Sequence, residues 1–558
     1  MRLTLFSAVT LLAIGCEPPK IPDLSLDDDT GPPTPTDTGD PPICPANLDP
    51  VIESAAGCVW GSSDGDVESF LGIPYAAPPV DELRFLAPRA ADPWDEPFAA
   101  GSSGSPCIQT FDSKDGALAD GEGDEDCLTL NVWRPAGAEG LPIVFFVHGG
   151  RFLNGAGTVT DLAGRASLPE NAVVVTHNYR LGPFGYLAHP ALTRGSRHEA
   201  SGNQGVLDSL MALEWVVENA VALGGDPSEI VLVGQEAGGL QACALLMSPL
   251  SEGLISAAVL QSAGCGWLER PMSAGFDEAR SGGPTTGEEV GEALAAALSC
   301  SGTDAEVLSC LQGSTAYKIS TALPARPALL MDDEGAPWEP IVDGYVLPAS
   351  VRELVRAGEV PDIPVFAGVN RDEGTLFAEE IDASAVSPFT LDVTINHTLE
   401  DYGEEGAALP TGTFDPEVWG DAPAAFAAFY GYATVICPTR TFLRALREQR
   451  AGVYAYTFTH PPSFADPTLG VYTGAELPFV FGTHRSEYSA REDALSTQLQ
   501  AAWLWTLESE PWVLDLGAWP DFWDDTWVEF GDDDLPHAVT DPYGELCDAL
   551  DDAGWQVW

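Results

Sequence analysis

Lysine is almost missing from these 558 residues: Lys20, Lys114 and Lys318 are the whole set, and arginine supplies the rest of the positive charge. Basic residues number 24 against 85 acidic ones, a formal net charge of −61. A surface this negative repels nucleic acid and anionic membranes, so no nucleic-acid partner is expected, and it favours solubility, including at high salt. An acidic proteome would explain the charge as well as any single function does. The run Asp120-Gly-Glu-Gly-Asp-Glu-Asp126 lacks the alternating ligand spacing of a calcium loop, so neither a metal site nor a cofactor is expected. Internal repeats are also missing, and no apolar run is long enough to span a bilayer.

The longest apolar run, Leu3 to Ile14, follows Arg2 and has the size of a signal-peptide core. It ends in Leu12-Ala13-Ile14-Gly15-Cys16, similar to a bacterial lipobox with Ala13 where Leu is commoner. The expectation is a lipoprotein-type signal over 1–15 and a lipidated Cys16 anchoring an exported protein to the bacterial cell envelope. The bland alternative is an ordinary cleaved signal with an incidental cysteine. An acidic, Pro/Thr-rich stalk is expected over 16–50, most biased from Glu17 to Pro42, because such a composition buries too little apolar surface to fold. In polyproline II form it reaches up to ~80 Å. A single large domain is expected over 51–558. Eleven cysteines suit an oxidising compartment. With Cys16 acylated ten remain, an even number, and spacing alone does not pair them.

Within the domain, Ile143 to Val147, Ala172 to His177 and Ile230 to Val233 are short continuous apolar runs, as expected of strands covered on both faces. Ala257 to Gln261, Pro364 to Gly368 and Val453 to Phe458 read as further central strands. Asn203 to Ala222 repeats Val206, Leu207, Leu210, Leu213, Val217 and Ala220 at helical steps, and Gly224-Gly225-Asp226-Pro227 stops it. The alternation predicts a mostly parallel α/β sheet with helices on both faces. Strand 230–233 runs into Gly234-Gln235-Glu236-Ala237-Gly238-Gly239, the layout of a nucleophile elbow, with Glu236 at its apex.

Three further stretches carry a wider resemblance: Ser69-Phe-Leu-Gly-Ile-Pro-Tyr-Ala-Ala-Pro-Pro79, Leu83-Arg-Phe85 and Glu125-Asp-Cys-Leu-Thr-Leu-Asn-Val-Trp133. With these the chain, from about Val51 onward, resembles the type B carboxylesterases, the family of the cholinesterases and bacterial para-nitrobenzyl esterases. The resemblance implies the α/β-hydrolase fold and ester hydrolysis. It also implies disulfides Cys107–Cys127 and Cys300–Cys310 and, more loosely, Cys437–Cys547. A local pairing Cys44–Cys58 and the residual pairing Cys243–Cys265 complete the set. The stretch Ser496 to Leu507 lies where relatives dimerise through a helical bundle, so a homodimer is one assembly to test.

The resemblance also locates the chemistry, which needs a nucleophile, a histidine base, an acid to orient it and donors for the oxyanion. Glu373, in Gly368-Val-Asn-Arg-Asp-Glu-Gly374, matches the orienting acid. Thr473, in Thr473-Gly-Ala-Glu-Leu-Pro478, stands where the base is expected, and a hydroxyl has no usable pKa near neutrality. His460 and His484 are the substitutes considered. In His148-Gly149-Gly150-Arg151-Phe152 the oxyanion positions are Gly150 and Arg151, with Ala237 as the third donor; Arg151 replaces a glycine and is expected to obstruct the approach. Glu236 and Arg151 are expected to form an ion pair across the former active site. No intact catalytic set follows. The expected function is a binding or adhesion-type pseudoenzyme whose partner is an unknown protein or small molecule, as in the non-catalytic neuroligins of this family. The runner-up is an ester hydrolase of altered mechanism using Glu236, and a third reading keeps the gorge for ligand binding without turnover.

Overall fold

The computed structural model describes residues 44–109, 123–158, 172–267, 270–273, 286–323, 325–326, 336–380, 386–402, 408–450, 452–483, 486–505, 513–514, 517–533 and 535–555. The signal segment, Cys16, most of the stalk and His484 lie outside these residues. Residues 44–50, expected in the stalk, belong instead to the folded body. Cys44 is buried and bonded to Cys58, and its backbone N–H donates a hydrogen bond to Glu53 Oε1 at 3.2 Å.

The main sheet has eleven strands: β1 (Ser62–Ser63), β2 (Val67–Pro74), β3 (Thr129–Pro135), β4 (Leu141–Val147), β5 (Val173–His177), β6 (Gly225–Gln235), β7 (Ala257–Gln261), β8 (Val365–Asn370), β9 (Val453–Phe458), β10 (Thr526–Phe530) and β11 (His537–Thr540). Their order across the sheet is β11-β10-β9-β8-β7-β6-β4-β5-β3-β2-β1. The central strands from β10 to β5 run parallel, in a register that sets Val144 beside Val231, Leu232 beside Ala258 and Ala367 beside Ala455. The outer pairs β10–β11, β5–β3, β3–β2 and β2–β1 are antiparallel.

Alternation along each strand divides the interior in two. Ile143, Phe145, Ile230 and Leu232 join one core, whereas Val144, Phe146, Val231 and Val233 join the other. Helices α1 (Gln204–Asn219), α2 (Ala237–Met247), α3 (Thr375–Glu380) and α4 (Cys437–Gln449) add Val206, Leu240, Phe377 and Leu443 to the first core. The second takes Phe479 and Leu499 from α5 (Leu477–Phe481) and α6 (Ala490–Trp505). Helices therefore cover both faces, which is why the central strands read as unbroken apolar runs. The last helix, α7 (Gly544–Asp552), is tied to the start of α4 by Cys437–Cys547. All five expected disulfides are formed.

The chain passes from β4 to β5 on one side and then to β6 on the other, so the loops leaving β4 and β6 meet above adjacent carboxyl ends. In open α/β sheets that is where a crevice forms.

Candidate active site

The elbow is built as its sequence requires. Glu236 joins β6 to α2 at φ 55° and ψ −119°, a left-handed conformation that favours glycine. Two neighbours have to be glycine: a Cβ on Gly234 would lie 2.2 Å from Gly238 O, and one on Gly238 would lie 2.1 Å from Val147 O. The Glu236 backbone N–H donates to Gln261 O at 2.9 Å, fixing the turn to the end of β7.

The Glu236 side chain folds back toward the loop leaving β4. Its Oε2 accepts from the backbone N–H of Gly150 at 2.8 Å and of Arg151 at 3.0 Å, the two positions assigned to the oxyanion hole. The residue is buried, and its Oε1 has no hydrogen-bond partner among the described residues. Ala237, the third oxyanion position, follows as the first residue of α2, whose N-terminal end favours negative charge. Tyr179 responds to that charge: burial first, then Glu236, pushes its hydroxyl well above the usual phenol range.

The expected ion pair is not formed. Arg151 meets the carboxylate through its amide, and its guanidinium lies over the Phe377 ring, 5.3 Å from the centroid. Backbone N–H groups reach a buried acceptor without holding a long side chain in place, and the aromatic face offers the cation a separate partner. Arg151 is itself buried and holds φ 58°, with its N–H directed at Glu236.

Glu373, fully buried just beyond β8, accepts from Asn370 N at 2.7 Å. Burial pushes its carboxyl up to about 8, against the pull of the Ser262 hydroxyl and the Asn370 amide; Glu476 adds to the rise and the Thr473 hydroxyl opposes it. Thr473 is thus brought beside Glu373, as the matched motifs require. Thr473 Oγ1 also accepts from Gln235 Nε2 at 3.3 Å, so the elbow, the acid and the 469–478 loop converge.

Sequence reasoning missed the polar floor beneath them. Gln235, Gln261 and Asn370 are the last residues of the parallel strands β6, β7 and β8. Gln261 Nε2 donates to the buried Glu476 at 2.9 Å, Asn370 Nδ2 donates to Glu476 and to Tyr472 O, and burial raises Glu476 above its ordinary range. The signal was present as a single amide residue closing each apolar run.

No histidine takes over at Thr473 among the described residues. His460 Nδ1 lies 2.7 Å from Asp532, and its Nε2 lies 3.5 Å from Glu492. His148 bonds through Nδ1 to Gly149 O at 2.7 Å and stacks on Tyr179. Burial lowers it to about 4, too weak a base for general-base work near neutrality.

The chain resembles known proteins over most of its length. The model of the carboxylesterase family matches residues 49–506. A fumonisin B1 esterase from Sphingopyxis macrogoltabida is 33% identical over 479 residues, covering 83% of each chain. An acetylcholinesterase from Bungarus fasciatus is 29% identical over 494 residues, covering 81% of this chain and 77% of its own.

Proposed function

The chain belongs to the carboxylesterase family, and from that premise we propose that this member has given up ester hydrolysis and serves as a binding or adhesion domain. One observation carries the reading: Glu236 Oε2 sits 2.8 Å and 3.0 Å from the Gly150 and Arg151 amides, where an ester's oxygen would have to go. Oxyanion donors stabilise a transition state only if they are available to it, and loss of one such donor alone lowers kcat by roughly 10²–10³-fold. Thr473 compounds the loss, since nothing at that position shuttles a proton. The esterase activity in the relatives' names is therefore not carried over.

Five disulfides support an exported setting, because such bonds persist in oxidising compartments. Among the described residues no helix is long and apolar enough to cross a membrane. We place the protein on the cell envelope through a lipid on Cys16, with the acidic stalk as spacer and an unidentified protein or small molecule as partner.

The test is hydrolysis of short-chain nitrophenyl esters by the purified protein, expected to stay at the rate of a blank. Turnover above the blank that vanishes in Glu236→Gln would replace this reading with a hydrolase that uses Glu236 itself.

A further inference from the structure

We propose that the Gly150 and Arg151 amides form a working carboxylate site with Glu236 as its built-in occupant. Shortening that one side chain then hands the site to a dissolved monocarboxylate of formate or acetate size. The proposal rests on the same placing of Glu236 as the function above, but it concerns binding and not turnover.

The donors are held without help from Glu236. Gly150, Arg151 and Phe152 take φ values of 114°, 58° and 62°, and this turn directs the Gly150 and Arg151 N–H groups at one acceptor. The loop is closed by Leu153 N and Asn154 N, each donating to Gly150 O at 2.9 Å. It is anchored beyond by Gly155 N, which donates to Gln109 Oε1 at 2.7 Å. None of these bonds involves the elbow. Glu236 meets the loop only through its terminal carboxyl, so truncation at Cβ removes the occupant and leaves the donors aimed at a carboxylate-sized space. The positive end of α2 adjoins that space and adds to its preference for an anion.

The present fit is one-sided, with both bonds falling on Oε2 and none on Oε1. A free carboxylate is not bound by the tether and can adopt a better angle. Gly149 and Gly150 are half-buried, whereas Arg151 and Glu236 are buried.

The experiment compares wild type, Glu236→Ala and Glu236→Gln in sodium acetate, sodium formate or sodium chloride at equal ionic strength, by calorimetry and thermal unfolding. Glu236→Ala is expected to bind one acetate or formate saturably. Its Tm should rise by roughly 1 °C over chloride at about ten times Kd. Wild type and Glu236→Gln, whose side-chain oxygens still occupy the donors, are expected to show no difference between the salts. A folded Glu236→Ala that treats acetate and chloride alike overturns the proposal, as does a wild type that responds as the variant does. If Glu236→Ala does not fold, Glu236→Gly, free to adopt the left-handed φ, takes its place; failure of both to fold even in acetate also overturns it, because the donors would then depend on Glu236. Ester turnover by wild type would remove the function proposed above and leave the acetate result standing.

Discussion

Glu236 is held in a backbone conformation that costs of order 1–3 kcal/mol for a residue with a side chain. Its two bonds from amide donors act against that cost, while the unpartnered Oε1 adds to it. The residues assigned from short motifs, Glu236, Glu373 and Thr473, sit where those motifs put them because each motif also fixes a turn. If only the identity of two side chains stands between this site and hydrolysis, Glu236→Ser combined with Thr473→His should restore it. Nitrophenyl acetate turnover is expected to rise at least ~10²-fold over either single variant, since a general base contributes about 10²–10⁴-fold. A double variant that is folded and still inert would mean that the loss extends beyond these two positions. The mistaken ion pair marks the limit of reading residues from sequence. The sequence names a carboxylate and a guanidinium, but not whether the acid will take the arginine's side chain or its amide, nor that Phe377 waits for the cation.

Between strands, the floor of the site is a layer of buried amides and carboxyls at the ends of β6, β7 and β8. Both Glu373 and Glu476 are raised by burial there, Glu373 to about 8. An ordinary glutamate loses its proton near 4.5, while burial keeps the folded Glu373 protonated up to about 8. Its contribution to stability is thus complete below about 4.5 and is lost as the pH climbs through about 8, at about 1.4 kcal/mol per pH unit. In urea titrations between about pH 6 and about pH 9, wild type should lose roughly 2 kcal/mol more than Glu373→Gln. Parallel curves for the two proteins would refute the assignment. The central strands were legible because burial on both faces makes them plain apolar runs. Strands β2, β3, β10 and β11 escaped notice: they lie toward the sheet's margins, each pairs antiparallel on at least one side, and each carries half-buried positions, so no unbroken apolar run marks them.

Across the whole molecule, scarce positive charge is concentrated where the acidic C-terminal segment packs. From α4, Arg440 meets Asp541 and Asp548 at 2.7 Å and 2.8 Å, Arg444 meets Asp525 at 2.6 Å and Arg447 meets Asp521 at 3.0 Å. Cys437–Cys547 fastens the same two parts of the chain across a separation of 110 residues. Replacing both cysteines by serine should lower unfolding stability by about 2–4 kcal/mol, read from the urea midpoint; an unchanged midpoint would show that the arginine contacts suffice. Sequence gave the charge imbalance but not this placement, because the partners lie far apart along the chain. The margins of the large sheet carry a last consequence. One is β1, two exposed serines, and the other is β11, four residues long beside Asp532 and Asp533. Neither margin offers a second chain a run of open peptide groups long enough to zip onto, and like charge discourages the approach. The protein is expected to stay free of fibrils in crowded solution.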